Sequence, residues 1–205
     1  MKPIAMDIET SGIDPVKCGV WQIGAYDMNT GEEFLGEAKI DDEDQVLNDK
    51  NANKTVFEVT GKTEEVLRDK NKQSQKDLIQ KFLQWVKTRS SLNFLCQNPQ
   101  FDISRIVIKA DKYGFNIPFH FRAFDLHSIA QEKYYEIHKN FLIKGNISDM
   151  GLKNILKFCG IEDKRKSHNA LEDAKLTAEC FSRIIYGKGL FEEYSGYKIP
   201  EKLKK

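Results

Sequence analysis

Apolar residues fall along this chain in two rhythms. Near the N-terminus, Ile4 to Ile8 and Val20-Trp21-Gln22-Ile23-Gly24-Ala25-Tyr26 are short, dense runs bounded by turn residues. That is the pattern of buried strands. The turn at Asp27 to Gly31 makes Glu33 to Ile40 the hairpin partner of the second run. Three strands linked this closely are expected to run antiparallel. Further on the rhythm becomes helical. Leu78, Ile79, Phe82, Leu83 and Val86 share one face of a helix predicted over Gln75 to Lys87. Leu92 to Cys96 reads as a short buried strand, and helix-then-strand order implies a crossover to a parallel neighbour. Phe101 to Tyr113 is predicted helical, with Ile106, Val107, Ala110 and Tyr113 inward. Phe124-Asp125-Leu126 opens a stretch that turns helical through Ile129 and Tyr134. Gly151 to Phe158 is a short helix ended by Gly160, and a long helix follows from Ala170 to about Tyr186. Leu171, Ala174, Ala178, Phe181 and Ile185 form its expected core face.

The polar stretches separate these elements. Asp41 to Lys54 is expected to be a mobile surface loop, and Val59-Thr60-Gly61 to lead into a short helix at Thr63-Glu64-Glu65. His138 to Asp149 and Asp163 to Ser167 read as basic loops, and the tail beyond Gly189 as frayed. No repeat or low-complexity linker interrupts the 205 residues. The expectation is one domain over residues 1–190 with a short tail over 191–205.

Composition narrows the class. The chain is 40% hydrophobic and 31% charged, as globular proteins are. Its 32 Lys+Arg against 31 Asp+Glu leave a net charge of +1, which argues against a uniformly basic nucleic-acid surface. Cys18, Cys96, Cys159 and Cys180 are widely scattered with no C-x-x-C pair. That suits free thiols in a reducing compartment rather than zinc. With Met1-Lys2-Pro3 running straight into the first strand and no apolar run long enough to span a bilayer, a cytoplasmic protein without a membrane partner is expected.

The candidate chemistry lies at element ends. Asp7 and Glu9 alternate with Met6 and Ile8, so both carboxylates share one face at the end of a core strand. At about 4 Å such a pair repels by roughly 1–4 kcal/mol. A hard divalent cation, Mg2+ or Mn2+, is the natural filler. Asp102 follows Asn98-Pro99 in the first turn of its helix, just beyond a strand end. Asn169 with Glu172 resembles a capping box, which puts Asp173 in the first turn and His168 in the loop before it. The positive end of that helix dipole is expected to help keep His168 neutral and usable as a base. His120, His127 and His138 have no such setting. Four carboxylates and one loop histidine are the inventory for two-metal phosphodiester hydrolysis.

The motifs Asp7-Ile8-Glu9-Thr10-Ser11-Gly12, Asn98-Pro99-Gln100-Phe101-Asp102 and His168-Asn169-Ala170-Leu171-Glu172-Asp173-Ala174 occur in that order. Together they resemble the DEDDh (DnaQ-like) 3′–5′ exonucleases. Ser11 stands where threonine is usual, Gln97 where histidine is common, and Asn169 where arginine is frequent. The resemblance implies an α/β, ribonuclease H-like fold: a mixed five-stranded sheet, its first three strands antiparallel, flanked by helices. It implies two divalent ions, Mg2+ or Mn2+, held by Asp7, Glu9, Asp102 and Asp173, with His168 as general base. It implies a nucleoside 5′-monophosphate released from the 3′ end of single-stranded DNA or RNA, and a polymerase or other nucleic-acid-processing protein as a partner. Thr10, Ile13, Asn98 and Phe101 would contact the terminal nucleotide. Lys164, Arg165 and Lys166 are candidate backbone contacts. The oligomeric state is left open. The alternative is a non-catalytic nucleic-acid-binding or adaptor module on the same fold.

Overall fold

The computed structural model describes residues 1–47, 56–165 and 168–205. One five-stranded sheet is built from β1 (Ile4–Thr10), β2 (Val20–Asp27), β3 (Glu33–Glu37), β4 (Phe94–Cys96) and β5 (Phe124–Asp125), in the order β3-β2-β1-β4-β5. The first three strands are antiparallel, and β4 and β5 run parallel to β1 and to each other. This is the ribonuclease H-like sheet expected from the sequence.

Strand β1 lies at the centre and is covered on both faces. Ile4, Met6 and Ile8 point into a core with α3 (Gln75–Lys87) and α4 (Pro99–Lys112). Ala5 points the other way, into a core with α5 (Leu126–His138), α6 (Leu152–Phe158) and α7 (Ala170–Tyr186). Side chains alternate along a strand, so Asp7 and Glu9 face the α7 side with Ala5. Helix α3 keeps the predicted limits. Ser74 caps it by accepting from Asp77 N–H, and Leu78, Ile79, Phe82, Leu83 and Val86 are all buried. The short helices α1 (Val56–Thr60) and α2 (Glu64–Leu67) precede it.

Four expectations need correction. Strand β3 stops at Glu37, because Lys39 and Ile40 donate instead to Gln73 and Leu67 carbonyls. Residues 41–47 are anchored rather than mobile. Asp44 is buried, pairs with Lys109 at 2.7 Å and accepts from Gln75, while Leu47 N–H bonds Ser11 O. The rest of that expected loop, 48–54, lies outside the described residues. His138 to Asp149 contains a small antiparallel hairpin, β6 (Ile143–Lys144) and β7 (Ile147–Ser148), turned by Gly145 at φ +63°.

The tail is docked, not frayed. Buried Arg183 on α7 pairs with Glu179 at 2.6 Å and donates to the Tyr194 and Tyr197 carbonyls. Glu179 accepts from Leu190 and Phe191 N–H, and Leu203 is buried. The tail therefore covers the side of α7 that an amphipathic reading leaves to solvent. Among the described residues, no helix is long and apolar enough to cross a membrane.

Candidate active site

The site forms where the C-terminal half of β1 meets the first turns of α4 and α7. In the β1–β2 ladder Asp7 lies opposite Gly24 and Glu9 opposite Gln22. Glycine at 24 lets α7 sit directly on the sheet, since a Cβ there would lie 2.1 Å from the Ala170 carbonyl carbon and the Leu171 nitrogen. The Gln22 side chain accepts from Ala170 N–H at 2.7 Å. Asn169 caps the helix, accepting from Leu171 and Glu172 N–H at 3.1 Å. Glu172 is exposed, so the cap is Asn169 itself. These contacts fix Asp173, which is buried in the first turn.

Asp102 arrives from the other side. Strand β4 pairs with β1 only at Ile4 and Ala5. Beyond that, the Ile8 N–H is free to bond the Asp102 carboxylate. Asn98 occupies the N-cap of α4 with an exposed side chain that makes no capping bond.

The acids act on one another strongly. Burial first, then the charges of Asp102, Glu9 and Asp173, push Asp7 well above the usual carboxylate range. Burial pushes Asp102 up to about 8, against the lowering by the Ile8 N–H and Arg105. Burial likewise pushes Glu9 up to about 7, with His168 opposing. One Glu9 oxygen, Oε1, is buried without a hydrogen bond. Ligand atoms of Glu9, His168 and Asp173 lie within 4.8 Å of one another. Buried, mutually repelling carboxylates with an orphaned oxygen are a donor set that fits hard divalent cations.

His168 is half exposed, its Nδ1 3.4 Å from Asp173 Oδ2 and 3.7 Å from Glu9 Oε1. The hydrogen bond to Asp173 raises its pKa, and burial opposes the rise only in part. Two carboxylates therefore act on this ring against the helix dipole, which was expected to keep it neutral.

Of the residues expected to meet substrate, Ile13 is exposed beside the site, whereas Thr10 is buried and donates its hydroxyl to Gly12 O at 2.8 Å. Phe101 is half-buried under the Arg105 guanidinium, 3.5 Å from its ring centre. Arg105 also donates to the Phe101 and Ile13 carbonyls, tying both together. The sequence reading missed Arg105. Its spacing, three residues after Asp102 on the same helix face, was the available signal. The expected exposed basic loop is corrected too. Lys164 is exposed beside Glu162, but Arg165 turns inward onto Asp163 and Asp173. Lys166 and Ser167 lie outside the described residues.

An exonuclease family model (RNase T) matches residues 4–181. Comparison with curated protein sequences found no match. Among solved structures, E. coli exonuclease I with single-stranded DNA is 18% identical with a TM-score of 0.66. The alignment covers 87% of this chain and 40% of that one. Its complex with a dT13 oligonucleotide matches to the same extent. The nuclease domain of 3′hExo, a DEDDh family member bound to rAMP, is 17% identical with a TM-score of 0.64. There the alignment covers 97% of this chain and 95% of that one. The chain thus spans about 40% of the exonuclease I chain and nearly all of the 3′hExo domain. At such identities the likeness establishes a shared fold.

Proposed function

This chain belongs to the exonuclease family, and we propose that it is a metal-dependent 3′–5′ exonuclease releasing nucleoside 5′-monophosphates from single strands. The observation that carries the reading is the convergence of four carboxylates and His168 from three separate elements, with a buried Glu9 oxygen left unpartnered. Asp7, Glu9, Asp102 and Asp173 would hold two Mg2+ or Mn2+ ions. Such ions, when bound, stabilise charge on the attacking and leaving oxygens. With Nδ1 facing Asp173 and Glu9, Nε2 of His168 is the nitrogen left to take a proton from water. The carboxylates raise the proton affinity of the ring only while their own charge is uncompensated. Ile13 and Phe101, linked through Arg105, would bracket the terminal nucleotide, with Asn98 and the Thr10 backbone beside them. The oligonucleotide complexes of the structural neighbours support a single-stranded substrate. A non-catalytic adaptor would tolerate loss of acids, and here the set is complete.

The test uses 5′-labelled single strands of DNA and RNA with Mg2+ or Mn2+. Stepwise shortening from the 3′ end is expected, abolished by EDTA and by Asp7→Asn. Absence of shortening on every strand overturns the proposal.

A further inference from the structure

The loop before His168 carries a cation into the acidic site. Arg165 Nη1 donates to Asp173 Oδ1 at 3.0 Å. Its other edge grips Asp163 in a fork, Nε to Oδ1 at 2.9 Å and Nη2 to Oδ2 at 2.8 Å. The side chain is only 13% exposed. Its charge reaches beyond Asp173, lowering the pKa of both Asp7 and Glu9. Both oxygens of Asp173 are therefore engaged, Oδ1 by Arg165 and Oδ2 by His168.

We propose that Arg165 is the resident counter-ion of this site and that it sets how tightly the acids take a divalent cation. This rests on the metal-site reading above. Three features support it. A fixed positive charge in contact with a ligand carboxylate repels an incoming dication and competes for its oxygen. An arginine guanidinium is never deprotonated, so the competitor cannot be titrated away. Asp163, outside the acid set, grips the guanidinium in a bidentate pair. Arg165 can therefore leave Asp173 without losing its partner, so exchange with an ion needs a short swing rather than a loop rearrangement. In the ion-free chain Arg165 offsets the repulsion among Asp7, Glu9 and Asp173. In the loaded chain it bonds Asp163 alone.

The experiment is calorimetric titration of the full chain with Mn2+ alone, for wild type, Arg165→Gln and Arg165→Lys, with melting curves in EDTA. Arg165→Gln is expected to bind Mn2+ about tenfold more tightly, given the charge removed at contact distance. It should also melt lower in EDTA, a deficit that saturating Mn2+ removes. Arg165→Lys keeps the charge and should stay near wild type in affinity. Unchanged or weaker Mn2+ binding by Arg165→Gln, while wild type binds, overturns the inference and leaves the exonuclease proposal standing. No Mn2+ binding by any of the three overturns the metal site itself. A measurement on wild type guards against a variant that fails to fold. The Arg165 Nη–H NMR signals, assigned by their loss in Arg165→Lys, should shift in step with Mg2+ addition. Signals that stay fixed while Mg2+ binds overturn the exchange.

Discussion

Replacing Gly24 by alanine should separate folding from catalysis. The new methyl would stand 2.1 Å from backbone atoms of Ala170 and Leu171, and ordinary contact begins at 3.4 Å. The start of α7 must therefore retreat by about 1.3 Å (3.4 − 2.1), since a helix backbone cannot rotate out of the way. Overpacking of this kind costs roughly 1–3 kcal/mol. In a chain of this length each kcal/mol lowers Tm by about 2–4 °C. The functional loss should be larger. His168 and Asp173 flank the displaced residues, and a misplacement on the order of 1 Å costs about 10²-fold in rate. Gly36→Ala is the matched control. There the methyl meets Leu78 Cδ1 at 2.4 Å, the movable end of a side chain from α3, on the other face of the sheet. Both variants are compared by melting curves and by Mn2+-dependent release of mononucleotide, at a temperature well below both melts. Gly36→Ala should lose stability and keep activity; Gly24→Ala should lose both. Equal residual activities would show that α7 placement does not govern the chemistry.

Other outcomes follow from the same geometry. In EDTA the fold should weaken as pH rises. Asp7, Glu9 and Asp102 have folded-state pKa values raised above the ordinary carboxylate range, with Glu9 at about 7 and Asp102 at about 8. Their contribution is therefore full below about pH 4 and lost as pH climbs through those values. The raised pKa of His168 acts in the same direction. Thermal melts from pH 5 to 8 should fall for wild type and flatten for Asp102→Asn, which should melt higher at pH 8 yet be inactive. Identical slopes would argue against close carboxylate packing. His168→Ala should lose roughly 10²–10⁴ in rate while still binding Mn2+, and unchanged turnover would remove the ring from the mechanism. Glu179→Gln strands the buried Arg183 charge and should cost about 3–5 kcal/mol in denaturant unfolding, with earlier proteolytic cleavage of the tail. Loss below about 1 kcal/mol would mean that the tail is held by its apolar contacts.

What the sequence disclosed and what it hid divide along physical lines. Helix α3 was legible because one apolar stripe specifies it locally. The hairpin β6–β7 was not, because two-residue strands exposed on both faces carry no alternation. Its remaining signal was the two-residue Gly145-Asn146 turn. Glu179 and Arg183, four apart on α7, gave no signal of burial in the sequence, because only the docked tail covers them. The proposed acids and His168 stood out in the sequence because Asp7 and Glu9 alternate on one face of a strand and Asp102, His168 and Asp173 lie at helix starts. Arg165 was hidden, since a Lys-Arg-Lys run looks the same whether or not one member turns inward.

The protonation of His168 shows why motif reading stops short of electrostatics. A helix N-terminus disfavours a charged ring by about 0.3–1 kcal/mol. A carboxylate at 3.4 Å favours it, at a surface-like dielectric, by on the order of 1–4 kcal/mol, and Glu9 adds to that at 3.7 Å. The dipole is local to the motif and can be read from it. Glu9 lies on a strand far away in sequence, and only the fold brings the opposing term to the ring. The same carboxylates then have two effects with opposite sign. Uncompensated, they raise the affinity of His168 for a proton; a cation held by them, as proposed above, would weaken that pull and leave the dipole to oppose it. If His168 is the base proposed above, the cation that fills the site would also favour the neutral ring, and activity should then rise with divalent-ion occupancy more steeply than Lewis acidity alone requires.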